Sequence, residues 1–209
     1  MTATDFLALS PIIVLSIGAS VLLLQIAFRR GLKLTAGITL LTFLVCLFFL
    51  FYIVNLNHQT TPLLLVDQLS TFFSIVFVLC AGITTFISYE YWENRAGRND
   101  EFFLLLILAT MGSLVLAYAT HLASFILGLE LMGIALYGLI AYPNQDDFSL
   151  EAAIKYLVLS GASSAALLFG FALLYAITGS LFFPDLLTGL ANPEVAVGPE
   201  SPFWARQLI

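Results

Sequence analysis

Long apolar segments separated by short polar connectors dominate the hydropathy pattern of the chain. Each segment has at least about 17 residues, the length that spans a hydrocarbon core of about 30 Å as a helix. The connectors carry turn-forming Asn, Gly and Pro residues. The pattern therefore predicts one all-α membrane domain over residues 1–209, a polytopic transmembrane bundle of about six spans. The six spans are residues 11–28, 34–54, 69–88, 102–119, 122–141 and 150–177.

Composition supports the same class of protein and excludes others. The chain is 61% hydrophobic and 10% charged, with a mean hydropathy of +1.03. A soluble domain of this composition would expose too much apolar surface, so the lipid bilayer is the predicted partner. The seven Lys and Arg residues form no extended basic tract, which argues against nucleic-acid binding. Cys46 and Cys80 each lie in an apolar segment and are predicted to be buried thiols rather than a disulfide or a metal pair.

The distribution of Lys and Arg predicts the orientation of the bundle. The first apolar segment ends in basic residues without a small-residue cleavage site, so it is expected to remain as a span. With the amino terminus outside, the inner side holds six of these residues and the outer side one. The inner set is Arg29, Arg30, Lys33, Arg95, Arg98 and Lys155, and the outer one is Arg206.

Glu130 is the candidate functional centre because it lies near the middle of the fifth span. A carboxylate at that depth costs on the order of 3 kcal/mol, so it normally faces a bundle interior or a hydrated cavity and marks an ion or proton route. Gly133, one turn away, leaves a gap beside it. The alternative is a packing helix in which Glu130 has no transport role.

Lys155 near the start of the sixth span is a second candidate and is more ambiguous. Its long side chain can reach the membrane surface, and Glu151, four residues earlier, is placed for an ion pair. Small residues at 160–166 allow close helix packing. Glu130 and Lys155 are expected to differ in depth by about 9 Å, so any coupling between them should pass through water or an intervening side chain.

Three further polar features have both a functional and a structural interpretation. His121 could carry protons, since histidine is a common proton carrier in proteins, but it is placed at the outer membrane boundary. Asp67 could take part in the route or simply complement the helix dipole at the start of the third span. The cluster Glu90 to Glu93 closes that span, and its aromatic pair suits an interfacial belt.

Two strings carry a family resemblance: LGLELMGIALYGLIAY, and EAAIKYLVLSGASSAALLFGFALLYAITGS. With the opening LSPIIVL, they resemble the antiporter-like subunit N (subunit 2) family of proton-pumping NADH:quinone oxidoreductase, respiratory complex I, which is related to multisubunit sodium/proton antiporters. Ser160 stands where the family pattern has glycine. The resemblance implies a proton-translocating subunit in a bacterial inner membrane, with other complex I membrane subunits as partners. It implies that Glu130 and Lys155 belong to the proton path and that the chain holds no redox cofactor, since flavin and iron–sulfur clusters lie in the peripheral arm.

Length is the departure from that family, whose members have around fourteen helices built on inverted repeats. Here an outer loop is expected at 178–203 and a seventh helix starts near residue 204. The expectation is a fragment or a truncated product, and a six-span half is not expected to move protons alone. The alternatives are a component of a multisubunit cation/proton antiporter and a structural membrane protein without transport.

Overall fold

The computed structural model describes residues 3–28, 30–94, 99–143 and 147–191. Within these residues, six helices are long and apolar enough to cross a membrane. This confirms the predicted all-α bundle with six spans. The spans are helical because each apolar segment must satisfy its own backbone hydrogen bonds in lipid. The helices are α2 (Ser10–Phe28), α3 (Leu32–Ile53), α4 (Gln68–Glu93), α5 (Glu101–Tyr118), α6 (Leu122–Ala141) and α7 (Asp147–Thr178).

Short elements gather at one end of the bundle, which we call the hairpin end. Helix α1 (Ala3–Ala8) precedes α2, and strands β1 (His58–Thr61) and β2 (Leu64–Val66) form an antiparallel hairpin between α3 and α4. Helix α8 (Phe183–Ala191) follows α7. Backbone hydrogen bonds join these pieces: Thr120 donates to the carbonyl of Leu63 at 3.1 Å and accepts from Phe183 at 3.0 Å. The opposite end, which holds the connections after α2, α4 and α6, is the turn end.

The main core lies among α2, α3, α4 and α5. Its largest fully buried side chains include Phe43, Leu15, Leu22, Ile107 and Leu114. Both cysteines are free thiols, but only one is buried. Cys46 is in the core, whereas Cys80 is exposed on α4. The prediction of two buried thiols was therefore wrong for Cys80, because an all-apolar helix in lipid shows no sequence difference between its packed and its outer face.

Helices α5 and α6 approach each other more closely than any side chain would permit. A Cβ placed on Gly112 would lie 2.6 Å from the backbone nitrogen of Met132, and one on Gly128 would lie 2.7 Å from that of Leu116. Helix α7 packs against α6 and α8. Ala153 near the start of α7 is buried, but the most apolar 18-residue stretch of α7 has no buried residue in the described structure, so α7 is the least covered span of the bundle.

Trp92 at the turn end differs from the interfacial position that the sequence predicted. Trp92 is not part of an exposed belt: it is buried and packs edge-on against Tyr142, with the ring centroids 5.4 Å apart. This occurs because α4 continues as a helix to Glu93 and carries Trp92 against the ends of α5 and α6. The start of a seventh helix near 204, part of the loop at 178–203, and Arg29, Arg95, Arg98 and Arg206 lie outside the described residues.

Candidate functional site

The contact between α6 and α7 sets the depth of every candidate residue on these helices. Tyr137 of α6 donates a hydrogen bond to the Oγ of Ser160 at 2.9 Å. Nearer the hairpin end, the rings of Phe125 and Phe171 lie 6.0 Å apart. The two helices are antiparallel, and the Tyr137 hydroxyl lies 3.2 Å from where a Cβ on Gly133 would stand, so Ser160 is near the level of Gly133.

Glu130 lies in the middle of α6 and is half-buried. On one side of it Gly133 is buried, and on the other Leu127 and Ile134 are 67% and 61% exposed. The carboxyl therefore stands at the border between the α6–α7 contact and the outer surface of the bundle. Neither a hydrogen bond nor an ion pair links Glu130 to any residue in the described ranges. A carboxyl group without a fixed partner is chemically able to take up and release protons wherever water reaches it.

Lys155 is placed differently from Glu130. Its side chain is 74% exposed, and its Nζ donates to Oε1 of Glu151 at 2.5 Å. Among the described residues, Lys155 therefore pairs with Glu151 and not with Glu130.

A cleft of about 400 Å³ separates α6 from α7 at an intermediate depth. Its lining is mainly apolar, with Gly133 from α6 and three hydroxyl groups from α7, those of Ser160, Ser163 and Ser164. The Tyr137 hydroxyl lies beside it, 3.2 Å from where a Cβ on Gly133 would stand. Sequence reasoning missed Tyr137. The available signal was its spacing of seven residues from Glu130, which places both on one face of α6.

Asp67 and His121 lie at the hairpin end, where each caps a helix. Asp67 is the N-cap of α4: its Oδ1 accepts from the backbone N–H of Ser70 at 2.7 Å, and the Ser70 hydroxyl accepts from the N–H of Asp67 at 3.0 Å. His121 is the N-cap of α6, and its Nδ1 accepts from the N–H of Ala123 at 3.0 Å. Both geometries are those of helix capping.

The described positive charges are at the turn end. Arg30 pairs with Glu101 at 3.2 Å, and Lys33 pairs with Glu93 at 3.6 Å. Tyr142 donates a hydrogen bond to the other oxygen of Glu101 at 2.8 Å. Burial, with the neighbouring Glu101 carboxylate, raises the pKa of Tyr142, since both disfavour a second negative charge. The three described basic residues Arg30, Lys33 and Lys155 therefore share one end of the bundle.

Comparison with known proteins gives a family match for part of the chain. Residues 119–200 match the family described as NADH:quinone oxidoreductase/Mrp antiporter, TM. This stretch begins just before α6 and takes in α7 and α8. Glu130, Tyr137, Lys155 and Ser160 all fall within it.

Two solved structures resemble the whole described bundle. A chain of respiratory complex I from Thermus thermophilus, in a structure with bound aureothin, superimposes with a TM-score of 0.73 at 27% identity, covering 90% of this chain. A chain of the membrane-bound sulfane sulfur reductase, an archaeal respiratory membrane complex, gives a TM-score of 0.76 at 20% identity over 92% of this chain. This chain spans 43% and 42% of those two chains. It is a multi-pass membrane protein with the antiporter-like fold of respiratory membrane subunits.

Proposed function

We propose that this chain is a proton-translocating membrane subunit of an NADH:quinone oxidoreductase, with Glu130 as the group that takes up and releases the proton. The observation that carries the proposal is a half-buried carboxyl at mid-span that has no partner among the described residues and lies inside the stretch matched by the NADH:quinone oxidoreductase/Mrp antiporter family. An acid in that position is costly to insert. A role in proton transfer would explain why the chain bears the free-energy cost of inserting this carboxyl.

Redox chemistry would take place elsewhere in the complex, with no redox cofactor in this chain. Moving one charge against 100 mV requires about 2.3 kcal/mol, and quinone reduction in other subunits would supply it. Quinone reduction would be coupled to proton transfer in this chain through changes in the charge state of ionisable residues along the membrane subunits. Lys155 and its partner Glu151, on the exposed side of α7, form an ion pair that another part of the assembly can approach. Lys155 is accordingly a second proposed member of the path.

The proposed orientation places the turn end in the cytoplasm of a bacterium and the amino terminus outside. Arg30, Lys33 and Lys155 lie at the turn end, which agrees with the excess of Lys and Arg on the cytoplasmic side of membrane proteins. Other membrane subunits are the proposed partners. The exposure of most of α7 supports this, because a helix that carries an ion pair and several hydroxyl groups is poorly suited to face lipid alone.

Glu130→Gln tests the proposal, because glutamine keeps the shape of the side chain and cannot titrate. In native membrane vesicles, NADH-driven proton uptake is measured with a pH-sensitive dye and divided by the rate of NADH oxidation. Glu130→Gln should lower this ratio while the subunit remains assembled, and Glu130→Asp should preserve part of it. The matched control is Glu90→Gln at an exposed position of α4, which should leave the ratio unchanged. A normal ratio in assembled Glu130→Gln would refute the role of this carboxyl.

A second candidate is a component of a multisubunit cation/proton antiporter, because the matching family includes Mrp antiporters as well as NADH:quinone oxidoreductases. The same vesicles distinguish the two. An antiporter dissipates an imposed pH gradient when sodium is added in the absence of NADH. The oxidoreductase subunit requires NADH and a quinone, and it responds to inhibition of electron transfer.

A further inference from the structure

The strongest unassigned feature is the hydrogen bond from Tyr137 to Ser160 across the α6–α7 cleft. It is a direct side-chain link between the two helices that carry Glu130 and Lys155. The phenol of Tyr137 points back along α6, as helical side chains do, so its hydroxyl comes to the level of Gly133. Gly133 is one turn from Glu130.

The register places this link between the two charged groups. Ser160 is five residues from Lys155, about 7.5 Å along α7. On the other side, Ser164 and Gly133 line the cleft, and Gly133 is one turn from Glu130 along α6. A volume of about 400 Å³ holds several water molecules, and the serine hydroxyls supply the polar partners that ordered water needs.

We propose that the Tyr137 hydroxyl is a proton-relay group, held by Ser160, that connects Glu130 through water in the cleft to the turn end of the bundle. The inference rests on the proposed proton-translocating function and names a further residue for it. Ser160 stands where the related family pattern has glycine, so this hydrogen bond requires the serine of the present chain.

The transfer balances without any other reactant. The Glu130 carboxyl gives its proton to cleft water, and water gives a proton to the Tyr137 oxygen as Tyr137 passes its own proton to the Ser160 oxygen. Ser160 then gives its proton to water on the side of Lys155. Each hydroxyl ends with one proton, and rotation of the two O–H groups restores the starting arrangement. Transfer in the opposite direction uses the same groups.

Tyr137→Phe removes the hydroxyl and keeps the ring, which packs on Tyr156 with centroids 5.4 Å apart. NADH-driven proton uptake per NADH oxidised should fall about fivefold, the factor that corresponds to about 1 kcal/mol, the net worth of one hydrogen bond. Subunit content and the thermal midpoint of the complex should not change. The matched control is Tyr175→Phe, since Tyr175 is 51% exposed on α7 and should pump normally as phenylalanine.

Ser160→Ala and the double variant with Tyr137→Phe separate a relay from a packing contact. If the two hydroxyls act as one unit, the double variant pumps no worse than Tyr137→Phe alone. Additive losses together with a lowered thermal midpoint would overturn the relay. Normal pumping in Tyr137→Phe beside a defective Glu130→Gln would reject this inference and leave the proposed function standing. Normal pumping in both would reject the function itself.

Hydration of the cleft is tested separately with cysteine substitutions in a Cys46→Ala, Cys80→Ala background. Ser164→Cys, in the cleft lining, should react with a water-soluble methanethiosulfonate reagent. Leu168→Cys, one turn away at a position 48% exposed, should not react, because it faces lipid under this proposal. An unreactive Ser164→Cys would show that the cleft is filled by lipid or protein and would overturn the water connection.

Discussion

Replacing Gly112 by alanine should force α5 and α6 apart, whereas the same change at Gly82 should not disturb the bundle. A Cβ on Gly112 would lie 2.6 Å from the Met132 nitrogen and 2.9 Å from the Gly128 carbonyl oxygen, while nothing lies within 4 Å of one on Gly82. The obstructing atoms at Gly112 are backbone, so no side chain can rotate away. Ordinary contact begins at 3.4 Å, which requires the helices to separate by about 0.8 Å.

A gap of that size forfeits a quarter to a half of the dispersion energy between the facing atoms, and inserting a methyl group into a packed site costs about 1–3 kcal/mol. Both variants gain the same helix propensity, about 1 kcal/mol for Gly to Ala. The free energy of unfolding of Gly112→Ala should therefore be about 1–3 kcal/mol below that of Gly82→Ala. The thermal midpoint should be lower by about 3–10 °C.

The assay is thermal unfolding of each purified variant in mild detergent, followed by the loss of the folded peak in size-exclusion chromatography. Because membrane proteins often unfold irreversibly, both variants are heated at the same rate. Equal midpoints for Gly112→Ala and Gly82→Ala would refute the close backbone packing of α5 and α6. Higher stability of Gly112→Ala would refute it more strongly.

The remaining predictions concern a helix cap and two thiols. Asp67→Ala should lower the free energy of unfolding by about 1 kcal/mol because α4 loses its N-cap, while Asp67→Asn should retain most of the stability. Hydrogen exchange at the first turn of α4 measures the difference. Equal exchange rates in the two variants would contradict the capping role of Asp67. Cys80 should react with a lipid-soluble maleimide in the folded protein, and Cys46 should react only after denaturation, because Cys80 is exposed and Cys46 is buried. Mass spectrometry identifies the labelled residue, and early labelling of Cys46 would contradict the packing of the core.

The capping residues show where sequence reasoning reached its limit. Asp67 and His121 each had a transport and a structural interpretation, and the structure places both as N-caps at the hairpin end. Capping depends on the backbone conformation one to three residues away, so the sequence allowed it to be anticipated for Asp67. For His121, the ring also packs edge-on against Phe182 at 4.7 Å, a contact that depends on a segment sixty residues downstream.

The hairpin of β1 and β2 could not be foreseen from its own residues. Its two strands are four and three residues long, and a hairpin of that size is marginal alone. Partners distant in sequence support it: Leu64 pairs with Ala119, and the Leu63 carbonyl accepts from Thr120 and from the hydroxyl of Ser124. The local pattern of the connector therefore indicated only a loop.

The sequence by itself determined the class of the protein and the number of spans, because each apolar segment in lipid must form its own backbone hydrogen bonds. It also determined the mid-span depth of Glu130, since charged residues are rare within an apolar span. The tertiary structure alone decided how the helices are matched in register. That register brings Tyr137 to Ser160 and exposes Cys80. Every residue of a span in lipid can be apolar, so only packing between helices distinguishes the face that is buried from the face that is exposed.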